Sequence, residues 1–303
     1  FERGLQALDT LRGASREHAS LRELAYGDPP QAPKKTTTQT PDSAGFFDNN
    51  LHEHQRLAIR HALPRTGSPP QLTLIHGPPG TGKTRTLIEL IAQAAHSGER
   101  VLATAASNLA TDNLAERLMA HTSLRVVRIG HPARVSDAAI EATLDHQLER
   151  HPLFALAQSW MREAHAIRQR TWTKLDRGNL SRDERRENLA TASQLMRDAR
   201  TQLRLAEDAI LERAQVVCVT ASNAQHRSLK RIDFDRVVLD EATQASDPVA
   251  WIALLEAPCV VLAGDPQQLP PTIRSEEARP TLSTTLFERL SERAPEHLIL
   301  LTE

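Results

Sequence analysis

The residues with the clearest capacity for chemistry form one octapeptide, Gly77-Pro78-Pro79-Gly80-Thr81-Gly82-Lys83-Thr84. It fits G-x-x-x-x-G-K-[ST], a P-loop whose backbone N–H groups close on phosphate oxygens. In that pattern Lys83 reaches the β- and γ-phosphates, and Thr84 holds the magnesium ion that a nucleotide brings. Arg85 follows directly and is counted with the nucleotide-binding set. Two acids, Asp240 and Glu241, end the apolar run Arg236-Val237-Val238-Leu239. Beside a phosphate loop, Asp240 suits the magnesium shell, and Glu241 can orient and deprotonate a water. Gly264 to Thr272 follows another apolar run, and Gln268 within it could sense a phosphate. Ser107-Asn108 and Thr220 also stand at the ends of apolar runs. Gln55 precedes the P-loop strand, and its amide can read an adenine edge bidentately.

These residues need a scaffold that gathers strand ends. Leu72 to His76 reads as a buried strand leading into the loop. Arg85 to Ala95 reads as a helix, with Leu87, Ile88, Leu90 and Ile91 at helical spacing and Gly98 as its stop. Further strands are expected at 101–105, 126–129, 216–219, 236–239, 259–263 and 298–301. Helices are expected at 51–59 with Asn50 as N-cap, at 109–120 and at 282–293. Strands alternating with helices give an α/β fold, a parallel sheet of RecA-like type flanked by helices. Every chemical residue except Gln55 then lies at the C-terminal edge of the sheet, where open α/β sheets bind ligands.

Ile140 to Arg213 changes character, with no strand-like run and many Arg, Glu, Ala and Leu. Gly178-Asn179 breaks it, and Ser181 to Glu184 carries a capping-box signature that restarts a helix. It reads as a long helical hairpin with an apolar stripe of Leu195, Leu203, Leu205, Ile210 and Leu211. Its mixed charges suit a solvated face better than a nucleic-acid surface. At the start, Phe1, Leu5, Leu8 and Leu11, then Leu21 and Leu24, give one broken amphipathic helix or two short ones. The expected organisation is a stalk-like helix at 1–27, a linker at 28–50, a RecA-like domain at 51–135 and 214–303, and an inserted helical subdomain at 136–213.

Composition limits the partners. The 303 residues carry a formal net charge of -1, so any nucleic-acid site must be local or shared with another part. Aromatics are 3%, which disfavours a surface of base-stacking rings. Two cysteines, Cys218 and Cys259, in apolar runs read as buried reduced thiols. The cytoplasm is the expected compartment, or the nucleus in a eukaryotic cell. His52 and His54 lack further ligands at metal spacing. No apolar run is long enough to span a membrane. A start at Phe1 rather than Met suggests a piece of a longer protein.

Gln55, GPPGTGKT, Ser107-Asn108, DEATQ and GDPQQLPPT, in this order, resemble the motifs of superfamily 1 helicases. The nearest branch is the nonsense-mediated-decay helicases, on the wording of residues 107–114 and 128–134. The resemblance implies an ATP-dependent 5′-to-3′ translocase on single-stranded RNA or DNA. It implies that Gln55 contacts adenine, that Lys83, Thr84 and Asp240 serve phosphate and magnesium, and that Glu241 serves the attacking water. Gln268 would meet the γ-phosphate, and Ser107, Asn108 and Thr220 the nucleic-acid strand. It further implies a second RecA-like domain beyond Glu303 that supplies arginines, worth roughly 10³–10⁵ in rate. This chain alone is therefore expected to hydrolyse ATP very slowly. A protein-remodelling ATPase and a nucleotide-gated binding module are the competing readings.

Overall fold

The structure is a computed structural model, and it describes residues 2–13, 16–28, 45–63, 71–120, 124–130, 135–176, 180–273 and 275–302. Residues 29–44 of the expected linker, the loop at 64–70, the stretch 131–134 and the hairpin break at 178–179 lie outside the described residues. The chain divides into two compact units, residues 1–142 with 214–303, and Thr143–Arg213.

The larger unit is built on a seven-stranded sheet. Its strands are β1 (Gln71–His76), β2 (Val101–Ala105), β3 (Val126–Ile129), β4 (Val216–Thr220), β5 (Arg236–Asp240), β6 (Cys259–Gly264) and β7 (Leu298–Leu300). They lie in the order β3-β4-β2-β5-β6-β1-β7, and every pairing is parallel. Near-continuous apolar runs are what a parallel sheet covered on both faces requires. Ile75, Val101, Ala103, Val216, Cys218, Val238 and Val261 join one buried cluster. That cluster also takes Ala58 and Ile59 of α3 (Glu53–Ala62), Leu87, Leu90 and Ile91 of α4 (Lys83–His96), and Leu114 and Leu118 of α5 (Asn108–Met119). Alternate strand residues such as Leu74, Leu102, Leu239 and Leu262 are fully buried too. Helices α9 (Asp247–Leu254) and α11 (Leu286–Arg293) pack against β5, β1 and β6.

Several boundaries differ from the sequence reading, each for a local reason. Helix α3 starts two residues later than expected, because Asn50 N–H bonds to Asp48 Oδ1 and turns the chain there. The cap then comes from inside: Gln55 Oε1 accepts the His52 N–H. The helix expected at 282–293 is two pieces, α10 (Arg279–Leu282) and α11. Thr285 caps α11, exchanging hydrogen bonds with Glu288 in a capping box. Sequence reasoning passed over α9, although Ser246-Asp247-Pro248 ahead of an apolar run is a start signal.

The N-terminal helices are α1 (Glu2–Arg12) and α2 (Arg16–Tyr26). Helix α1 buries Gly4, Ala7 and Leu11, while Leu5 stays about half exposed. The buried stripe is small because α1 runs close to α9; a Cβ on Gly4 would stand 3.0 Å from the Pro248 Cβ. Helix α2 is fixed by polar ties, His18 Nε2 to the Leu254 carbonyl and Tyr26 Oη donating to Asp247 Oδ2.

The smaller unit contains α6 (Leu144–Glu149), α7 (Pro152–Asp176) and α8 (Arg182–Arg213). Residues 137–142 belong to the larger unit instead, where Ala139 and Ala142 join its core. The α7–α8 seam is not the expected leucine stripe. Ala157 and Ala164 on α7, and Ala192, Ala199 and Ala206 on α8, are all fully buried, whereas Leu205 is 48% exposed. Alanine at seven-residue spacing on both helices lets them pack closely, while of the expected stripe Leu211 is buried and Leu195, Leu203 and Ile210 are half-buried.

Candidate nucleotide and strand site

The sheet register sets the strand ends in one row. Thr220 pairs with Ala105, Ala105 with Asp240, and His76 with Gly264. The P-loop leaves β1 at His76 and is anchored at once, Gly77 N–H donating to the Gly264 carbonyl at 3.1 Å. Gly82 has a positive φ of 76° and directly precedes α4, so the loop runs straight into the helix N-terminus, where an anion is favoured. A side chain at Gly77 would collide with Lys83, whose Cβ lies 2.7 Å from where a Gly77 Cβ would sit. The motif's first glycine therefore leaves space for the stem of its lysine.

Lys83 reaches across the end of β6 to both acids of β5. Its Nζ lies 2.7 Å from Glu241 Oε1 and 3.0 Å from Asp240 Oδ1. Burial works against the charge, but the two carboxylates outweigh it and hold the ammonium above its ordinary pKa. Glu241 is the one non-glycine among the described residues with a positive φ, 53°. Its backbone N–H bonds to Asp240 Oδ1. A left-handed glutamate costs conformational energy, and such strain concentrates at functional sites. Thr84 is half-buried in the first turn of α4. The structure thus brings Lys83, Asp240 and Glu241 into contact.

Gln55, Arg85 and Gln268 each hold a protein partner. Gln55 is buried, and its Nε2 donates to the Thr81 carbonyl at 2.8 Å, so it braces the P-loop. The Arg85 guanidinium forks onto the Asp48 carboxylate. Asp48 is itself held on α4, because Glu89 accepts the N–H groups of Phe47 and Asp48. Gln268 donates to Asp265 Oδ2 at 3.1 Å. Asp265 also takes the Gln267 N–H, and its Oδ1 lies 3.3 Å from His76 Nε2. Burial opposes its charge, yet these bonds hold the carboxyl below its ordinary value. Pro78 is half-buried, Pro79 and Gly80 are exposed, and Gly80 has a positive φ.

The three residues expected on a nucleic-acid strand lie farther along the same edge. Ser107 caps α5, its Oγ accepting the Ala110 N–H. Asn108 Oδ1 takes a hydrogen bond from Arg128 Nη2, and Thr220 Oγ1 takes one from Asn223 Nδ2.

Comparison with known proteins fits this arrangement. Residues 50–276 match the family described as an AAA domain. The chain is 32% identical to an uncharacterized ATP-dependent helicase of Methanocaldococcus jannaschii, covering 95% of this chain and 47% of that protein. It is 35% identical to the DNA-binding protein SMUBP-2 of Mesocricetus auratus, covering 97% and 29%. It is 34% identical to the ATP-dependent helicase upf1 of Schizosaccharomyces pombe, covering 79% and 24%. The chain belongs to the AAA-domain family, as a first RecA-like domain of the superfamily 1, nonsense-mediated-decay type. It spans less than half the length of each of these three relatives.

Within this family fold, two sets of supporting residues escaped sequence reasoning. Arg128 is fully buried and donates to Asp112 Oδ1, while Asp112 Oδ2 accepts the Ser136 N–H. An arginine inside the apolar run Val126-Val127-Arg128-Ile129 was the available signal, since a buried guanidinium must have an acid partner. Asp265 with His76 is the second set. No local pattern links them, because 189 residues separate them in the chain. Among the described residues no cluster of three or more His, Cys, Asp or Glu is arranged to hold a metal, and no helix is long and apolar enough to cross a membrane.

Proposed function

We propose that this domain is the ATP-binding half of a motor that moves along single-stranded RNA or DNA. The observation that carries the reading is the Lys83 ammonium held between Asp240 and Glu241 where the P-loop opens. The donor set also fits magnesium, which takes one or two carboxylates together with phosphates and water rather than an all-protein cage. Asp240 and the Thr84 hydroxyl would hold that ion. ATP with its magnesium supplies the phosphoryl group to be transferred and neutralises part of its charge.

The chain's own residues would then act in turn. Lys83 exchanges its carboxylate partners for phosphate oxygens. Glu241, released from Lys83, orients a water and takes its proton. Gln268 turns from Asp265 toward the γ-phosphate. Gln55 trades its bracing bonds for the adenine edge, and Arg85 lines the same site. Ser107, Asn108 and Thr220 hold the strand, with little discrimination of base. The resemblance supports 5′-to-3′ movement and a second RecA-like domain in the full-length protein. Arginines from that domain would complete the site, so this chain alone would turn over slowly. On the same reading the strand-bound motor works in the cytoplasm, or the nucleus of a eukaryotic cell.

The test is ATP hydrolysis by the full-length protein with and without poly-U and poly-dT. Stimulation by either supports a polymer motor, and their ratio reads the sugar preference. Hydrolysis indifferent to both would overturn this reading in favour of an ATPase that remodels proteins.

A further inference from the structure

The proposed strand contact Thr220 opens onto a second feature that the motifs do not use. After β4 the chain makes two tight turns, Ala221–Asn223 and Arg227–Leu229, before reaching β5. That segment forms one wall of a cleft of about 620 Å³. Arg3 of α1 also lines it, and Glu256, just past α9, is the single acid on the lining among the described residues. His226, Arg227 and Lys230 also face the cleft.

Its charge and connections point to an extended anion. Three permanent cations, Arg3, Arg227 and Lys230, share the lining with one carboxyl. The chain as a whole carries -1, so this positive charge is local. Arg227 and Lys230 are exposed, and among the described residues neither makes a hydrogen bond or an ion pair. Burial raises the pKa of Glu256, and the Gln225 hydrogen bond opposes that rise. Arg3 is already tied to the proposed strand edge. Its Nη1 donates to Asn223 Oδ1 at 2.6 Å and to the Ser222 carbonyl, and Asn223 Nδ2 donates to Thr220 Oγ1 at 3.0 Å. Through Asn223, the first turn of α1 therefore fixes the hydroxyl of Thr220. Among the described residues no Phe, Tyr or Trp lines the cleft, which suits a sugar-phosphate backbone better than stacked bases.

We propose that the strand continues past Thr220 into this cleft, where Arg227 and Lys230 bind its backbone phosphates, with Arg3 and Asn223 as positioning residues for Thr220. The inference rests on the polymer reading above. In the full-length protein, labelled oligo-dT and oligo-U would be titrated over a range of salt concentrations. Each phosphate contact to a single strand contributes about 0.7 to the slope of log K against log salt. R227A/K230A is expected to lower that slope by about 1.4 and to weaken both oligomers. Arg117→Ala, on the exposed far end of α5, is expected to leave it unchanged. Wild-type binding with an unaltered slope in the double variant overturns the cleft while the polymer reading stands. An equal loss in Arg117→Ala also overturns it, as a general charge effect. Wild-type protein that binds neither oligomer overturns both. Should the double variant not fold, R227Q and K230Q are each expected to lower the slope by about 0.7, and an unchanged slope in both overturns the inference.

Discussion

If Lys83 takes the phosphates of a nucleotide, its bond to Glu241 has to break first, and this makes Glu241→Gln an informative perturbation. Lys83 is 8% exposed and Glu241 21%, so water screens their 2.7 Å contact only in part. Hydrogen bonds to charged groups contribute roughly 1.5–3 kcal/mol, about twice their neutral counterparts. A glutamine still offers Lys83 an oxygen but not a charge, so about 1 kcal/mol of competition is removed. That corresponds to roughly five-fold tighter nucleotide binding. Catalysis should move the opposite way, by about 10²–10⁴-fold, if Glu241 takes the water's proton. Binding would be measured by anisotropy of a fluorescent, non-hydrolysable ATP analogue, and turnover by phosphate release from the full-length protein. Tighter binding together with slower turnover is the expected pair. Binding equal to or weaker than wild type would refute the idea that the Lys83–Glu241 bond competes with the nucleotide. Turnover at the wild-type rate would refute the role given to Glu241.

Three further outcomes are expected. Asp112→Ala leaves the Arg128 charge buried without its acid, and should cost about 3–5 kcal/mol in urea unfolding; a loss under about 1 kcal/mol would show that Asn108 and the Ile129 carbonyl suffice for Arg128. Asp265 has a folded-state pKa below its ordinary 3.8, so its stabilisation is complete above the unfolded value and fades as pH falls through the folded one. The stability gap between wild type and Asp265→Asn should hold steady from about pH 7 down to about 5 and close below about 4, and a gap that widens with acid would contradict the sign. Burial pushes the Cys218 thiol up to about 12, so alkylation at about pH 8 should spare it in the folded protein and modify it after unfolding.

The parts of the site legible in the sequence are those whose chemistry is local. A strand, a glycine-rich turn and a helix start are neighbours in the chain, so Gly77 to Thr84 declares both its shape and its ligand class. Asp240 and Glu241 are legible for the same reason, as two acids closing an apolar run. The partners that hold these groups come from distant segments. Asp48 takes Arg85 across 37 residues, and His76 meets Asp265 across 189. No period or spacing encodes such pairs; the second depends on strand order, which places β6 beside β1, and the first on the packing of residues 47–48 against α4. The α7–α8 seam failed for another reason. Leucine was given the weight of its size, whereas two closely packed helices select for the smallest apolar side chain.

The residues proposed to meet a nucleotide occupy one another in the structure. Lys83 neutralises the two acids, Asp265 holds Gln268, and Thr81 holds Gln55. None of these charged or amide groups is left unpaired in a buried place, which would cost several kcal/mol. A nucleotide must therefore exchange bonds rather than simply add them, and its net affinity is the difference between two well-satisfied states. Gln55 is the sharpest instance of this exchange. Its amide links the first turn of α3 to the P-loop backbone, through His52 on one side and Thr81 on the other. If adenine takes that amide, the Thr81 carbonyl is freed at the moment the phosphates arrive, and the loop can close on them. Gln55→Leu should then weaken an adenine nucleotide and also loosen the P-loop without ligand, seen as faster amide exchange at Thr81 and Gly82. Weaker binding with unchanged exchange would confine Gln55 to the base. Faster exchange with unchanged binding would confine it to the loop.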